Sequence, residues 1–415
     1  MLRIGRKRAE TILKLPLWVS ALAGTLLVQT VCSFAGVAVP ILGPPLMARA
    51  GLSPESIGLV SATSSVGICW FLACGGPMLS HHGPIRTLQI GMVCMGIGLA
   101  VLAQPLGLIG LLGALAIGFG TGPNTPAGSW ILIRSAPPAH RTLIFSIKQA
   151  GVPLGGALAG LVVAPLAVAY GLSITLGAVV VLLLACCLAV QPFRRTLDGE
   201  REPSQPGWAR ALFQPAAMVR CVATLRSHPS LPMLTALGAS FSLTQACLTA
   251  FTATFAYTRH GFSLAEAGQV VAVMQGASMI GRVMLGWVAD RMGHALRHLG
   301  VQALASAAAV YLLVAEGGQG PWQLYACAAL AGFTAIGWNG VHIAELARVA
   351  PLHLVSSVTS ASSLFGFIGS VCGPLLFTGL VSWSGGYDLA FHVMATQLAC
   401  FGLLCLFAKR RPGPA

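Results

Sequence analysis

Charged side chains are scarce in this chain of 415 residues. Only 8% of the residues are charged, with ten acidic residues in all, whereas 56% are hydrophobic and the mean hydropathy is +0.81. A soluble domain needs far more polar surface than this composition supplies. The scarcity of charge therefore excludes a soluble protein and favours one that lies in a lipid bilayer.

Motifs for catalysis, nucleotide hydrolysis and metal binding are also missing. No Gly-Lys-Ser/Thr follows a glycine-rich turn, which argues against ATP-driven transport within this chain. No nucleophile stands beside an arranged base, and no His/Asp/Glu cluster has the spacing of metal ligands. The 12 cysteines form no C-x-x-C pair and lie mostly in apolar runs, where a thiol behaves as a small apolar group. We expect neither an enzyme nor a resident metal or cofactor.

Long hydrophobic runs, in contrast, are abundant. A helix that crosses a bilayer needs roughly 20 mostly apolar residues, and the windows of this kind predict an all-α polytopic membrane protein with twelve transmembrane helices. Several windows are longer than this minimum, so we expect tilted helices. The predicted spans, numbered in chain order, are 17–40, 56–79, 85–104, 107–134, 143–169, 171–191, 231–258, 264–289, 298–315, 321–349, 354–381 and 387–408.

One long polar segment divides the spans into two sets of six. The sequence predicts an N-terminal six-helix bundle over 1–191, a cytoplasmic linker over 192–230 and a C-terminal six-helix bundle over 231–415. The second part of the linker has Trp208 and Leu212 among arginines. This pattern fits either a segment that lies on the anionic inner leaflet or a plain connection.

The basic residues are distributed unevenly between the two sides of the membrane. The 24 lysines and arginines give a net charge of +14, yet they do not form the single basic face of a nucleic-acid binder. Nearly all of them occupy the N-terminus, the loops after even-numbered spans and the tail, whereas the other side holds only Arg49 and Arg259. By the positive-inside rule, both termini lie in the cytoplasm. We expect a multi-pass protein of the inner membrane without a nucleic-acid partner.

The two sets of six spans resemble each other. Positions 118–137 share a sparse set of identities, without gaps, with positions 332–351, which lie 214 residues later. Gly76 recurs as Gly286, 210 residues on. A nearly constant offset is what a parallel internal repeat predicts. We therefore expect two six-helix bundles related by a pseudo-twofold axis.

The end of the eighth span carries the most specific motif. The stretch from Gly281 to Gly293 reads G-R-V-M-L-G-W-V-A-D-R-M-G, and it resembles the signature loop of the major facilitator superfamily, G-x-x-x-D-R-x-G. The aspartate is a candidate to satisfy the positive N-terminus of another helix. The first-half loop departs from the pattern, because Ser80 stands at the position of the aspartate. The matching positions are Gly286, Asp290, Arg291 and Gly293.

The resemblance implies a central cavity lined by the first, fourth, seventh and tenth spans. Each of these spans has an amide near its middle, and the two pairs of amides respect the repeat at separations of 216 and 215 residues. One interpretation is a polar ring that hydrogen-bonds the substrate, extended by Trp338. The alternative is hydrogen bonding between helices. The four amides are Gln29, Asn124, Gln245 and Asn339.

Two ionisable residues stand inside predicted spans, where an isolated charge is unfavourable. They are Lys148 in the fifth span and Glu345 in the tenth. From the arrangement that the resemblance implies, we expect them to pair when the cytoplasmic side is closed, and we expect Lys148 to be free to hold an anionic substrate when it opens. The alternative is that both side chains extend to the interface. His342 is a candidate for proton coupling with Glu345, or a buried histidine satisfied by its surroundings.

These features favour a secondary transporter that works by alternating access, is coupled to protons and moves a small organic anion such as a carboxylate. Few carboxylates at cavity positions argue against export of polycations. Efflux of lipophilic compounds is the alternative within transport. A non-transporting membrane sensor or scaffold is the alternative of another class. Apart from substrate, lipid and protons we expect no partner, so the chain should act as a monomer.

Overall fold

A computed structural model describes residues 16–105, 107–137, 140–199, 207–214, 222–292, 295–315, 321–351 and 354–407. Every regular element in these ranges is a helix. A helix satisfies all its backbone hydrogen bonds internally, which is what long apolar segments need in lipid. The predicted all-α class is confirmed.

The described residues contain eleven helices that are long and apolar enough to cross a membrane. The remaining crossing is the fourth span, which is interrupted after Thr121 and therefore consists of two shorter helices. The twelve-span architecture is thus confirmed for the described ranges. In chain order the spans are Leu17–Ile41, Ile57–Cys74, Pro84–Leu102, Gly110–Thr121 with Asn124–Ser135, Arg141–Tyr170, Leu172–Ala189, Leu231–Arg259, Leu264–Met292, Ala295–Ala315, Pro321–Ala331 with Asn339–Val349, Val355–Ser384 and Tyr387–Phe407.

The second span ends earlier than predicted. It stops at Cys74 and not at position 79, because Gly75 and Pro77 begin a separate short helix, Gly76–His82. Proline lacks the N–H that would continue the preceding helix. Other short helices outside the spans are Gly43–Arg49, Arg194–Leu197 and Trp208–Ala211.

The fourth and tenth spans are broken at equivalent points of the repeat. In the fourth span the pair Gly122-Pro123 separates the two helices, and the proline interrupts the backbone hydrogen-bond ladder. In the tenth span the π-helical turn Gly332–Ile336 precedes the break. Each second helix begins at one of the predicted amides, Asn124 or Asn339. The internal repeat therefore extends to the helix breaks.

The two halves of the chain meet mainly near one face of the protein. We call the face where the first span begins and the twelfth ends the terminal face, and the other the opposite face. Near the opposite face, the Thr378 hydroxyl donates to the Glu55 backbone carbonyl at 3.0 Å. Gly160 and Gly268 bring the fifth and eighth spans into backbone contact there, because a Cβ on either would collide with the carbonyl oxygen of the other. The opposite face is therefore closed.

The fourth and tenth spans have exposed residues on the part that leads to the terminal face. Thr125 and Ile133 are exposed in the fourth span, and Gly340, Ile343 and Ala344 are exposed in the tenth. These spans are the ones expected to line the central cavity. Their exposed surfaces indicate a central space that opens toward the terminal face.

The described part of the linker is packed on the first half. The Trp208 ring stacks on His81, with ring centroids 5.6 Å apart, and contacts His82 at 4.7 Å. The Trp70 indole N–H donates to the backbone carbonyl of Leu212 at 2.6 Å. This part of the linker is therefore attached to the end of the second span, and neither of the two sequence alternatives included that contact.

An acidic residue reaches the loop before the third span, although it comes from beyond the sixth span. The Asp198 carboxylate accepts backbone N–H groups from Ile85 at 2.7 Å and Arg86 at 3.2 Å. These are the first residues of the third span, so Asp198 caps the positive end of that helix. Gly83 leaves the space, since a Cβ there would lie 2.7 Å from the carboxyl carbon. The chain thus supplies an acidic contact to this loop although Ser80 replaces the aspartate of the motif.

Replacing Gly268 with Leu should prevent closure at the opposite face, because the new side chain would need the space of the Gly160 carbonyl. We expect faster amide hydrogen exchange at the start of the eighth span and slower exchange in the second helices of the fourth and tenth spans. Hydrogen–deuterium exchange with mass spectrometry measures both. Gly276→Leu is the matched control, since a Cβ at Gly276 meets open space. Equal exchange patterns in the two variants would contradict this account of closure.

Candidate functional site

Lys148 is enclosed in the first half of the protein. Its side chain is 2% exposed, and its ammonium group donates to the Asn124 backbone carbonyl at 3.1 Å and to the Gln149 side-chain oxygen at 3.3 Å. Gly128 gives the side chain room, because a Cβ there would lie 2.7 Å from Cε of the lysine. Both partners are neutral, and the ion pairs among the described residues do not include Lys148. The side chain bonds to its neighbours and does not extend to the interface.

Two of the predicted amides, Gln29 and Asn124, are buried near Lys148. The amide nitrogen of Asn124 and the amide oxygen of Gln29 have no hydrogen-bond partner in the part of the chain that the structure describes. Gln29 packs against Gly151, which lies three residues after Lys148 in the fifth span. An unsatisfied buried donor or acceptor is unfavourable. Both atoms are enclosed in the described conformation, so a polar ligand would reach them only after the surrounding side chains move.

In the seventh span the side-chain amide of Gln245, which is equivalent to Gln29 in the internal repeat, has a partner within the protein. The Trp338 indole N–H donates to the Gln245 side-chain oxygen at 2.9 Å. The Trp338 ring also stacks on Phe241, with centroids 5.2 Å apart and planes at 11°. Asn339 is half-buried next to Trp338. Gln245 and Trp338 thus connect the seventh and tenth spans, and contact of these residues with substrate stays a prediction.

His342 faces the seventh span. Its Nε2 lies 2.9 Å from the Leu234 backbone carbonyl, so this nitrogen carries the proton that the carbonyl accepts. The imidazole also contacts the Trp338 ring, with centroids 5.1 Å apart, and is buried. This geometry matches the histidine satisfied by its surroundings, and the coupling role stays a prediction.

Glu345 is paired with a residue of its own helix. Its carboxylate accepts hydrogen bonds from Nε and Nη2 of Arg348, both at 2.7 Å. Residues three apart on a helix are neighbours, and the arginine fork matches a carboxylate in two places. The predicted pair of Lys148 with Glu345 is not formed in this conformation. It stays a prediction for a conformation that is closed at the terminal face.

The signature loop is described only in part. Gly286, Asp290 and Arg291 lie in the last two turns of the eighth span, and Gly293 lies outside the described residues. Asp290 is exposed. The Arg291 guanidinium lies 3.8 Å from the centre of the Trp287 ring. Within the described ranges Asp290 caps no helix, so its predicted contact is not formed while the terminal face is open.

Sequence reasoning missed Arg282, a further ionisable residue inside the membrane. The eighth span continues to Met292, so Arg282 lies ten residues, or about 15 Å, from the helix end. Its Nε is buried and has no hydrogen-bond partner among the residues that the structure describes. Arg282 lies within the predicted eighth span, 264–289, and its charge in an apolar run is the signal that identifies it.

The site thus belongs to a multi-pass membrane protein with polar and cationic side chains at the level of its helix breaks. Comparison with known proteins identifies the family. Residues 25–367 match the Major Facilitator Superfamily, so the chain belongs to this superfamily of transporters, as the signature loop predicted. It is 25% identical over 349 residues to an uncharacterized MFS-type transporter of Mycobacterium tuberculosis, covering 83% of this chain and 75% of that protein.

Two relatives from Bacillus subtilis have names that include a substrate. The Hexuronate transporter is 26% identical over 166 residues, which are 40% of this chain and 39% of that protein. A protein named as a candidate niacin/nicotinamide transporter is 22% identical over 357 residues, covering 84% of each chain. Among solved structures, a peptide transporter POT in complex with sulfate shares the fold, with a TM-score of 0.76 at 16% identity over 93% of this chain and 94% of that chain.

Replacing Gly238 with Ala should destabilise the packing of His342. A Cβ at Gly238 would lie 2.6 Å from Cε1 of the imidazole, so the ring must move away from the Leu234 carbonyl. Overpacking of this kind typically costs about 1–3 kcal/mol, and we expect a lower melting temperature of the purified protein. Gly340→Ala is the control, because that position is open. The same melting temperature for both variants would contradict a fixed His342.

Proposed function

We propose that this transporter moves a small organic anion of the carboxylate class by alternating access. The observation that carries the proposal is the buried ammonium group of Lys148, whose hydrogen-bond partners are neutral oxygens. An isolated charge in the membrane interior is unfavourable unless a counter-charge neutralises it. A carboxylate that enters from the terminal face supplies that counter-charge. It also accepts from the unused N–H of Lys148 and from the unpartnered amide of Asn124.

The acidic residues that the structure describes do not fill this role. Glu345, which lies four residues before the end of the tenth span, is already paired with Arg348. The central space between the halves therefore has a positive potential, which attracts an anion. The other acidic residues that the structure describes lie at or beyond the ends of spans, and they are Glu55, Asp198, Glu266, Asp290 and Asp388.

The names of two relatives support the same chemical class. A hexuronate is a sugar that carries a carboxylate, and niacin is a pyridine carboxylic acid; both words occur in the names of the Bacillus subtilis relatives, the second beside nicotinamide, the neutral amide of niacin. We take from these names the carboxylate and not the compound, because a shared fold does not define a substrate.

The two faces suggest the transport cycle that we propose. The basic residues near the terminal face favour a cytoplasmic location for both termini, in the inner membrane. The described conformation then opens to the cytoplasm, and the contacts of Gly160 with Gly268 close it toward the outside. Rocking of the two halves about the level of Lys148 would exchange the two states. A monomer contains both halves and so suffices for this cycle.

Efflux of lipophilic compounds is the second candidate function. It is favoured by apolar surface on the fourth and tenth spans, where Ile133, Ile343 and Ala344 are exposed. A lipophilic ligand would cover this surface. Because Lys148 repels cations, the two candidates differ in the sign of the ligand charge that they favour.

Replacing Lys148 with Gln should weaken carboxylate binding. The amide keeps hydrogen-bonding capacity but removes the charge, so we expect the Kd for carboxylates to rise about 10- to 100-fold, whereas Lys148→Arg keeps part of the affinity. Thermal-shift titrations of purified protein with carboxylates, neutral sugars and lipophilic cations measure this.

The matched control for this experiment is Arg134→Gln, which removes a cation that lies over the Trp130 ring at 4.8 Å. The proposal fails if Lys148→Gln and the control bind carboxylates equally well. It also fails if lipophilic cations stabilise the wild-type protein and carboxylates do not.

We also propose that transport is coupled to protons through Glu345. Its carboxylate is buried, and it depends on Arg348 for charge compensation. Protonation removes the negative charge and releases Arg348, whose side chain is 71% exposed. A proton can therefore change a contact at the end of the tenth span. His342 lies one turn before Glu345 and is the second candidate to carry the proton.

Glu345→Gln should uncouple transport from the proton gradient. The amide imitates the protonated acid, so we expect proteoliposomes to lose gradient-driven accumulation of the carboxylate that gives the largest thermal shift. Exchange of labelled for unlabelled substrate should persist, because exchange moves no net proton. The control is Glu266→Gln, at an exposed carboxylate. Normal accumulation by Glu345→Gln, or its loss only in His342→Gln, would refute coupling through Glu345.

A further inference from the structure

We infer that Arg282 is a second anion-binding residue of this transporter, and that the substrate carboxylate is held between Arg282 in the second half and Lys148 in the first. The inference rests on the proposed function and deepens it. It assigns a substrate contact to a residue of the eighth span, which is not among the four spans expected to line the cavity.

The antiparallel packing of the fifth and eighth spans places Arg282 at the level of Lys148. Near the opposite face Gly160 contacts Gly268, and one turn further in Gly156 packs on Gln275. Moving seven residues along each span, two helical turns toward the terminal face, leads from Gly156 to Gln149 and from Gln275 to Arg282. Gln149 accepts a hydrogen bond from the Lys148 ammonium group. The register therefore sets Arg282 opposite the glutamine that holds Lys148.

Arg282 lies on the inward face of its helix. It follows Gly268 and Gln275 at intervals of seven residues, and both of these contact the fifth span. The face toward lipid is a different stripe, about 140° round the helix. Its members are exposed apolar residues, Val273, Ile280 and Trp287. The guanidinium group thus points between the two halves and not toward acyl chains.

The surroundings of Arg282 leave its guanidinium available. Its Nε is enclosed and unpartnered, while the side chain as a whole is partly exposed. The outer nitrogens form no hydrogen bond with the residues that the structure describes. Its backbone lies beside the break of the tenth span, since a Cβ on Gly337 would be 3.2 Å from the Arg282 nitrogen. Trp338 and its partner Gln245 follow directly at this level. Within the described residues no acidic side chain pairs with Arg282.

The internal repeat has no charge at the positions equivalent to the two cations. The position equivalent to Lys148, 214 residues later, is Ser362, and the position equivalent to Arg282, 210 residues earlier, is Leu72. Both equivalent residues are uncharged, so each half folds with a neutral side chain at the matching place. The two cations are specific additions to a symmetric scaffold, one from each half.

The chemistry of the two cations divides their tasks. Lys148 already uses two of its three N–H groups on Asn124 and Gln149, which leaves one for a ligand. Arg282 has a planar fork of donors that matches both oxygens of a carboxylate. We assign the bidentate contact to Arg282 and the single contact to Lys148. Because the residues belong to different halves, a bound anion removes their mutual repulsion and favours closure of the terminal face.

Paired ligands that differ only in the acid test this inference. The probes are nicotinate with nicotinamide, and glucuronate with glucose, titrated against purified full-length protein by thermal shift. We expect the wild type to prefer the acid of a pair. Arg282→Gln should weaken acid binding about 10- to 100-fold and leave the neutral partner unchanged. Arg282→Lys keeps the charge but not the fork, so an intermediate loss is expected.

The matched control is Arg291→Gln, which removes a cation of the same helix that lies over the Trp287 ring. If Arg282→Gln prefers acids as strongly as this control while Lys148→Gln has lost the preference, the inference is refuted and the proposed function stands. If the wild type prefers no acid, the proposed function is refuted and the inference with it. If Arg282→Gln does not fold, Arg282→Lys provides the test. A reduced preference for acids in Arg282→Lys supports the inference, and an unchanged preference overturns it.

Discussion

The central constraint on this protein is a positive charge that is kept inside a membrane span without an acidic partner among the residues that the structure describes. Lys148 is buried, and it is held by a backbone carbonyl and an amide oxygen. Such an arrangement is unfavourable in a low-dielectric interior until a negative charge arrives. The neighbouring amide nitrogen of Asn124 is a further donor without a partner among the described residues. The first half of the protein thus presents a site whose stability improves when an anion binds.

Close backbone contacts determine where that site opens. Gly160 and Gly268 allow the fifth and eighth spans to touch near the opposite face, and the same two helices carry Gln149 and Arg282 two turns closer to the terminal face than Gly156 and Gln275. A hinge of this kind converts rotation about the closed face into separation at the open one. The fifth and eighth spans therefore serve both binding and the conformational change. A ligand that brings Gln149 and Arg282 closer together also favours closure of the terminal face.

Sequence reasoning was most successful where the bilayer itself dictates the pattern. Span number follows from the length of apolar runs, and Lys148 stands out because a charge interrupts one of them. The partners of the charged groups were less predictable, since Glu345 forms its ion pair with Arg348 on its own helix. The cap by Asp198 joins residues more than a hundred positions apart, which no local pattern reveals. Arg282 lies within the predicted eighth span but beside the signature motif, so the stretch from Gly281 stood out as a helix end and not as a binding site.

An experimental structure of the purified protein with the carboxylate that stabilises it most is the most direct test of the central claim. The account predicts a ligand between the two halves, at the level of the breaks in the fourth and tenth spans, with its carboxylate within hydrogen-bonding distance of the Lys148 ammonium group. A ligand bound elsewhere, together with a protein carboxylate paired to Lys148, would contradict the account.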